Sequence, residues 1–178
     1  MSTDPKDNKG DIIIRRFDAG DAAATERFII PMIREVYPDY PDSATRWDVT
    51  HLADAYACRP DAAMFLAIDR PNGEKVAGTA AINRYDDRIA AVRGIYDAAK
   101  TAELSRCYVD SRLRRCGIAT RLVASLEAFS RSLGYAVICL HTHRFLPGGL
   151  PFWLSQGYIA RLEPQDKDET VFMDKNIE

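Results

Sequence analysis

Several features are missing from this 178-residue sequence, and each absence removes a class of protein. No run approaches the ~20 consecutive apolar residues that a membrane-spanning helix needs, so no membrane partner is expected. Residues Met1 to Gly10 are polar with mixed charge and lack the apolar stretch of a signal peptide, so we expect a cytoplasmic protein with a disordered N-terminus over 1–10. Basic residues number 24 against 26 acidic ones, a net charge of -2, which lacks the general basic footprint of phosphate-backbone binding. Nucleic acid is therefore not an expected partner. The four cysteines, Cys58, Cys107, Cys116 and Cys139, form no Cys-x-x-Cys pair, and two fall in runs that read as buried strands. They read as free thiols in a reducing compartment. Internal repeats and low-complexity tracts are also absent.

What is present is the composition of a globular domain, with 47% apolar and 28% charged residues. A chain of this length can bury about 70% of the surface its unfolded form exposes, and a single domain over 11–178 is expected. Ile12, Ile13 and Ile14 with Phe17 form a β-branched run ended by Asp18-Ala19-Gly20, which reads as a strand and turn. Phe28, Ile29, Met32, Ile33 and Val36 then recur at helical spacing, but Pro31 lacks an amide hydrogen and crowds the preceding turn, so a kink or two helices are expected. Pro38 and Pro41 mark a loop, and Trp47, Leu52 and Tyr56 suggest a second helix ending near Pro60. Runs over 64–69 and 76–83, separated by a Pro-Asn-Gly turn, predict a hairpin. The charged segment 84–100 is long for a connection, and such segments often carry binding residues.

The second half is more informative. A strand over 103–109 is followed by Ile118, Leu122, Leu126, Phe129 and Leu133, whose spacings of four, four, three and four place them on one helix face. Gly134 ends that helix, and the continuous apolar run 136–140 reads as a buried strand. Strand, helix, strand in this order implies a right-handed parallel crossover. A short helix around 151–156 closes on Gly157, and 158–161 with 170–173 predict a last hairpin.

Between strand and long helix lies Asp110-Ser111-Arg112-Leu113-Arg114-Arg115-Cys116-Gly117-Ile118-Ala119-Thr120. The first amides of a helix lack internal partners and carry the positive end of its dipole, so this turn can present a row of donors to an anion. Gly117 allows close backbone approach, Ala119 is small, and Arg112, Arg114 and Arg115 add positive charge. The pattern fits a phosphate or pyrophosphate seat. It also fits a plain helix cap, since a bare Gly-x-Ala at a helix start is common. A nucleotide-binding P-loop needs Gly-Lys-Ser/Thr, which is absent, and the dinucleotide fingerprint needs a further glycine earlier in the turn.

These residues resemble the GNAT N-acetyltransferases, whose hallmark is Arg/Gln-x-x-Gly-x-Gly/Ala between the fourth strand and third helix. Arg114-Arg115-Cys116-Gly117-Ile118-Ala119 satisfies every fixed position. Leu104, Tyr108, Val109 and Asp110 sit where the family writes its strand residues and Val-Asp, and Pro151 to Tyr158 is similar to its Phe-Tyr-x-x-x-Gly-Phe segment. The resemblance implies an α/β (α+β) fold: a mixed, mostly antiparallel sheet flanked by helices on both faces, with a V-shaped opening between its fourth and fifth strands. It implies that amides from Arg115 to Thr120 bind the pyrophosphate of acetyl-CoA and that Cys107, Tyr108 and Val109 pair through their backbone with the pantetheine arm. The reaction implied is direct attack of an acceptor amine on the thioester, with no metal.

Glu103 resembles the place where several members keep a catalytic glutamate, and strand alternation puts it on the side of Ser105 and Cys107. It is the expected base, with a solvated strand end as the other reading. Trp153 occupies the place of the tyrosine that usually reprotonates the CoA thiolate; indole cannot donate that proton, and packing against pantetheine is its expected role. Leu146 stands where the family often has asparagine. Cys139, His141 and His143 alternate on one strand, and three ligands so spaced seldom close around one zinc ion; either histidine could instead border the acceptor pocket. A small-molecule amine is the expected acceptor, with a protein or peptide amine second. Trp153 also motivates a reading of another class, a non-catalytic acyl-CoA-binding module. Members of the family often dimerise, which admits a homodimer here.

Overall fold

The structure is a computed structural model that describes residues 12–38 and 46–178. The segment 1–10 expected to be disordered, and the Pro41 end of the first loop, lie outside the described residues. Seven strands, β1 (Ile12–Arg16), β2 (Ala63–Asp69), β3 (Lys75–Arg84), β4 (Thr101–Val109), β5 (Val137–His143), β6 (Ile159–Leu162) and β7 (Thr170–Asn176), form one sheet in the order β1-β2-β3-β4-β5-β7-β6. The helices are α1 (Ala22–Val36), α2 (Trp47–Thr50), α3 (Ile118–Ser132) and α4 (Gly149–Ser155). The sheet is mixed and mostly antiparallel. β4 and β5 are the parallel pair, as a helical crossover between them requires, and β5–β7, β6–β7 and β1–β2 are antiparallel.

The chain divides into two compact units, one of residues 1–81 with 106–126 and one of 82–105 with 127–178. In the first unit, β1 pairs with β2 from Ile12↔Asp69 to Arg16↔Phe65. Ile29 and Ile33 of α1, Val49 of α2 and Leu52, Tyr56, Met64, Leu66 and Ile68 form one buried cluster. α1 runs unbroken through Pro31, where a kink or two helices were expected. The proline forfeits a single amide bond, a local loss of roughly 3 kcal/mol. Burial of Ile29, Met32 and Ile33 on either side of it offsets that loss. The expected second helix is shorter than its pattern suggests: α2 is one turn, followed by a π-helical turn at Ala53–Ala57. Trp47 is 56% exposed and stacks on His51 with ring centroids 5.3 Å apart, so it lies off the buried face.

In the second unit, Ala102, Leu104, Ile138, Leu140, Val171, Met173 and Ile177 are buried. The C-terminal half of α3 is tied to β7 by charge: buried Glu127 accepts from Lys175 Nζ at 2.7 Å and Arg131 Nη2 at 3.3 Å, and Arg131 Nε donates to the Ile177 carbonyl at 2.6 Å. The helix face read from the sequence holds for Ile118, Leu122 and Leu126, while Phe129 is half-buried. It fails at Leu133, which is 42% exposed because the chain has already left the helix and turns at Gly134 with φ +81°. Glu127→Ala is therefore expected to lower unfolding free energy by about 2–3 kcal/mol, because Lys175 loses its buried partner. Leu133→Ser should change it by less than about 0.5 kcal/mol. Urea unfolding checks both.

Candidate functional site

The turn after β4 opens with Asp110, whose carboxylate accepts from the Arg112 amide at 3.0 Å and from its guanidinium at 2.6 and 3.1 Å. A 3-10 turn at Ser111–Leu113 follows, then Arg115 and Gly117 both take positive φ, 63° and 76°. A Cβ built on Gly117 meets nothing within 4 Å, so the space over the turn is open. The first bond to reach back from α3 is Arg121 N–H to Gly117 C=O at 3.1 Å, which leaves Ile118, Ala119 and Thr120 amides without an acceptor one turn back. Arg112, Arg114 and Arg115 are exposed around them. Arg114 Nε donates to the Val109 carbonyl at 3.3 Å, and the Cys116 thiol to the Arg114 carbonyl at 3.6 Å.

Two residues seat this turn. Arg121 Nη2 donates to the Ile12 carbonyl at 2.9 Å, anchoring the first turn of α3 to β1. Gly78 in β3 lets three elements converge: a Cβ there would lie 3.1 Å from the Tyr108 carbonyl oxygen, 3.3 Å from Ile118 and 3.3 Å from Leu122. β3 and β4 run antiparallel, with Asp110 N–H bonded to the Ala77 carbonyl at 2.9 Å and Tyr85 N–H to the Thr101 carbonyl at 3.1 Å.

β4 does not alternate evenly. Arg106 has φ +54°, and the Thr79 hydroxyl holds its carbonyl at 2.8 Å. The side of Cys107 therefore cannot be read from Glu103 by counting in twos. The Arg106 guanidinium forks onto Asp48 of α2, both bonds at 2.7 Å, and the Tyr56 hydroxyl donates to the same carboxylate at 2.9 Å. Burial pushes the Asp48 carboxyl up, but the bonds and charge of Arg106 with the Tyr56 hydroxyl outweigh it and hold the group below its ordinary 3.8. The Cys107 thiol is pushed up to about 12 by burial, and burial also raises the Tyr108 hydroxyl. Both stay protonated at neutral pH, so Cys107 is no ready nucleophile.

Glu103 lies elsewhere on β4, in the register Thr101↔Val137, Ala102↔Ile138, Glu103↔Cys139 that pairs β4 with β5. It is 4% exposed and lines a tight recess with Tyr85, Tyr96, Cys139, His141 and Phe172, with room for about one water molecule. Both its oxygens accept from the Arg88 guanidinium, at 2.6 and 2.8 Å. Trp153 of α4 is 7% exposed, edge-on to Tyr158 at 5.4 Å and to Phe152 at 4.9 Å. His143 bonds the Asp168 carbonyl at 2.8 Å and stacks on Phe145, while His141 faces the recess. Among the described residues no group of three or more His, Cys, Asp or Glu side chains is placed to hold a metal ion.

The sequence model of the Acetyltransferase (GNAT) family matches residues 27–158. The chain belongs to this family. It is an acyltransferase on the GNAT fold. No curated protein matches the sequence at a significant level. Among solved structures it resembles a GNAT-family acetyltransferase from Staphylococcus aureus Mu50, at 17% identity, TM-score 0.71 and coverage of 94% of this chain and 99% of that one. The PaiA N-acetyltransferase from Thermoplasma acidophilum in complex with coenzyme A is similar at 17% identity and TM-score 0.71, covering 93% and 98%. An aminoglycoside 6'-acetyltransferase type Ii is similar at 23% identity and TM-score 0.67, covering 93% and 97%.

Relative to the GNAT motifs, sequence reasoning missed Gly78, Arg88, Arg106 and Asp48. A glycine inside a strand was the available signal for the first, since it commonly marks a close approach. The charged residues carry no local signature, because their partners are 15 and 58 positions away. Gly78→Val is expected to destabilise the protein by about 1–3 kcal/mol through overpacking against Tyr108, Ile118 and Leu122, read by thermal unfolding. Asp48 yields a pH dependence: its folded pKa is depressed, so its contribution is full above the ordinary value of 3.8 and is lost as pH falls through the folded pKa. Asp48→Asn should lower stability at pH 7 and flatten this acid loss; an unchanged acid profile in chemical unfolding would remove the Arg106 pair from the account.

Proposed function

We propose that this GNAT acyltransferase moves an acetyl group from acetyl-CoA to the primary amine of a small molecule. The observation that carries the donor assignment is the open turn at Gly117, where the amides of Ile118, Ala119 and Thr120 have no acceptor one turn back. A pyrophosphate offers the anionic oxygens those donors need, and Arg114 and Arg115 flank the same place. Cys116 completes the row of amides between Arg115 and Thr120. The similar PaiA enzyme, solved in complex with coenzyme A, supports the choice of ligand. The backbone of Cys107, Tyr108 and Val109, which lies outside the β4–β5 register, takes the pantetheine arm.

The amine must be neutral to attack, and a lysine-like amine has a pKa of about 10. Glu103 is the base that removes its proton, directly or through one water. The amine nitrogen then adds to the thioester carbon, the carbon–sulfur bond breaks as the tetrahedral intermediate collapses, and the second proton of the attacking nitrogen passes to solvent water. The CoA thiolate leaves without an acid at position 153, which a thiol pKa of about 8.5 permits. Packing against the pantetheine is the role assigned to Trp153, which is 7% exposed. A protonated Cys107 is consistent with transfer in one step, without an acyl-cysteine. The similar aminoglycoside 6'-acetyltransferase supports a small-molecule acceptor; a protein or peptide amine is the second reading.

Calorimetric titration with acetyl-CoA, CoA and 3′-dephospho-CoA tests the donor, and thiol release across an amine panel tests the transfer. Micromolar binding without turnover on any amine would favour a binding module over an enzyme. Gly117→Ala strains a positive-φ position but leaves the space open, costing roughly 1 kcal/mol. Gly117→Asp adds a negative charge facing the pyrophosphate and should weaken CoA at least about tenfold beyond the alanine variant. Equal affinity of the two variants would remove the pyrophosphate from this turn.

A further inference from the structure

The recess around Glu103 has the makeup of a cation site. A buried carboxylate without a counter-charge costs several kcal/mol, and aromatic faces attract the same cation that the carboxylate needs. Here the carboxylate is ringed by Tyr85 and Tyr96, whose centroids are 5.4 Å apart edge to face, and by His141 and Phe172, 6.0 Å apart. The cation now seated on it comes from the chain itself, the guanidinium of Arg88.

Arg88 does not belong to the recess as Glu103 does. Its side chain is 54% exposed against 5% for the glutamate. It is carried by residues 85–100, which hold one 3-10 turn, Ala90–Val92, and no longer element. Its Nη1 also bonds Asp86 Oδ1 at 2.7 Å, and that carboxylate is 56% exposed. The guanidinium thus has an inner seat on Glu103 and an outer seat on Asp86. Asp86 keeps its charge available for the outer seat: burial works against it, but the bonds from Arg88 prevail and hold its carboxyl below the ordinary range.

We propose that Arg88 is the internal occupant of a site for a small organic cation, and that the ammonium group of the acceptor replaces it on Glu103 while Arg88 retires to Asp86. The acceptor step rests on the proposed acyl transfer; the cation site itself does not. Arg88 is then a specificity residue. It admits alkylammonium acceptors that compete for the carboxylate, and keeps Glu103 closed to neutral arylamines, which bring no charge. If the outward position of Arg88 is populated about a tenth of the time, its removal lowers the apparent KM for a cationic amine about tenfold.

The test compares the full-length protein with Arg88→Ala, Arg88→Gln and the double variant Arg88→Ala/Glu103→Gln. Low-millimolar ethylammonium or guanidinium chloride, against matched sodium chloride, is expected to raise the melting temperature of Arg88→Ala by several degrees. The rise should be far smaller in the wild type, where Arg88 competes for the carboxylate, and absent in the double variant. Should Arg88→Ala fail to fold, Arg88→Gln carries the same measurement, since it removes the charge and keeps the bulk. In turnover, the KM for alkylamines should fall about tenfold, with that for acetyl-CoA unchanged. Absence of cation rescue in a folded variant would overturn the site, and an unchanged amine KM would overturn the replacement of Arg88 by substrate. Rescue without turnover on any amine would uphold the cation site while removing the small-amine acceptor.

Discussion

Eight residues separate β4 from α3, and among the described residues no backbone carbonyl one turn back takes up the amides of Ile118, Ala119 and Thr120. Arg115 and Gly117 take left-handed backbone ahead of the helix. Arg121 reaches back to Ile12 instead of folding over the turn. Gly78 lets α3 come so near to β3 and β4 that one added carbon would touch all three elements. Each of these choices gives up a little stability: left-handed non-glycine backbone costs about 1–3 kcal/mol, and an unmet amide costs a comparable amount once water leaves it. On the proposed reading, the pyrophosphate restores that loss when it binds.

The charged side chains show a second regularity. Arg106 on Asp48, Arg88 on Glu103 and Lys175 on Glu127 are each partly buried, and each joins elements distant in sequence. Exposed pairs contribute about 0–1 kcal/mol, whereas breaking a buried pair from one side costs about 3–5. These pairs therefore say less about total stability than about position. Asp48 fixes α2 against the irregular point of β4, and Glu127 fixes α3 against β7. Arg88 differs from the other two because its own side chain is the exposed partner, with a second carboxylate beside it.

Much of the fold was legible in the sequence, for reasons that particular residues make plain. The α3 face at Ile118, Leu122 and Leu126 and the buried run before Leu140 are local patterns set by one period each, and they stood. The crossover followed from their order, and the parallel β4–β5 register bears it out. Leu133 misled because periodicity continues past the point where Gly134 ends the helix. Pro31 does not divide the helix in two, since the rule counts one lost hydrogen bond and not the buried side chains on both sides of it. Arg106 could not be foreseen, because nothing marks an arginine as left-handed; its carbonyl accepts from Thr79 and its guanidinium forks onto Asp48.

The candidate site divides along the same line. An anion is met by backbone amides, which every residue but proline carries, so its site is written as spacing and small side chains and can be read over six consecutive positions. An acceptor is met by side chains brought together from far apart, and no spacing records that Arg88 lies on Glu103. The sequence placed the carboxylate in a family position but left its neighbour invisible, and the neighbour changes what the carboxylate does. Each of its oxygens already accepts a short, charge-assisted bond from the Arg88 guanidinium. On the proposed reading of Glu103 as the base, its service depends on what displaces the guanidinium, so that selection of the acceptor and activation of the acceptor become one event at one side chain.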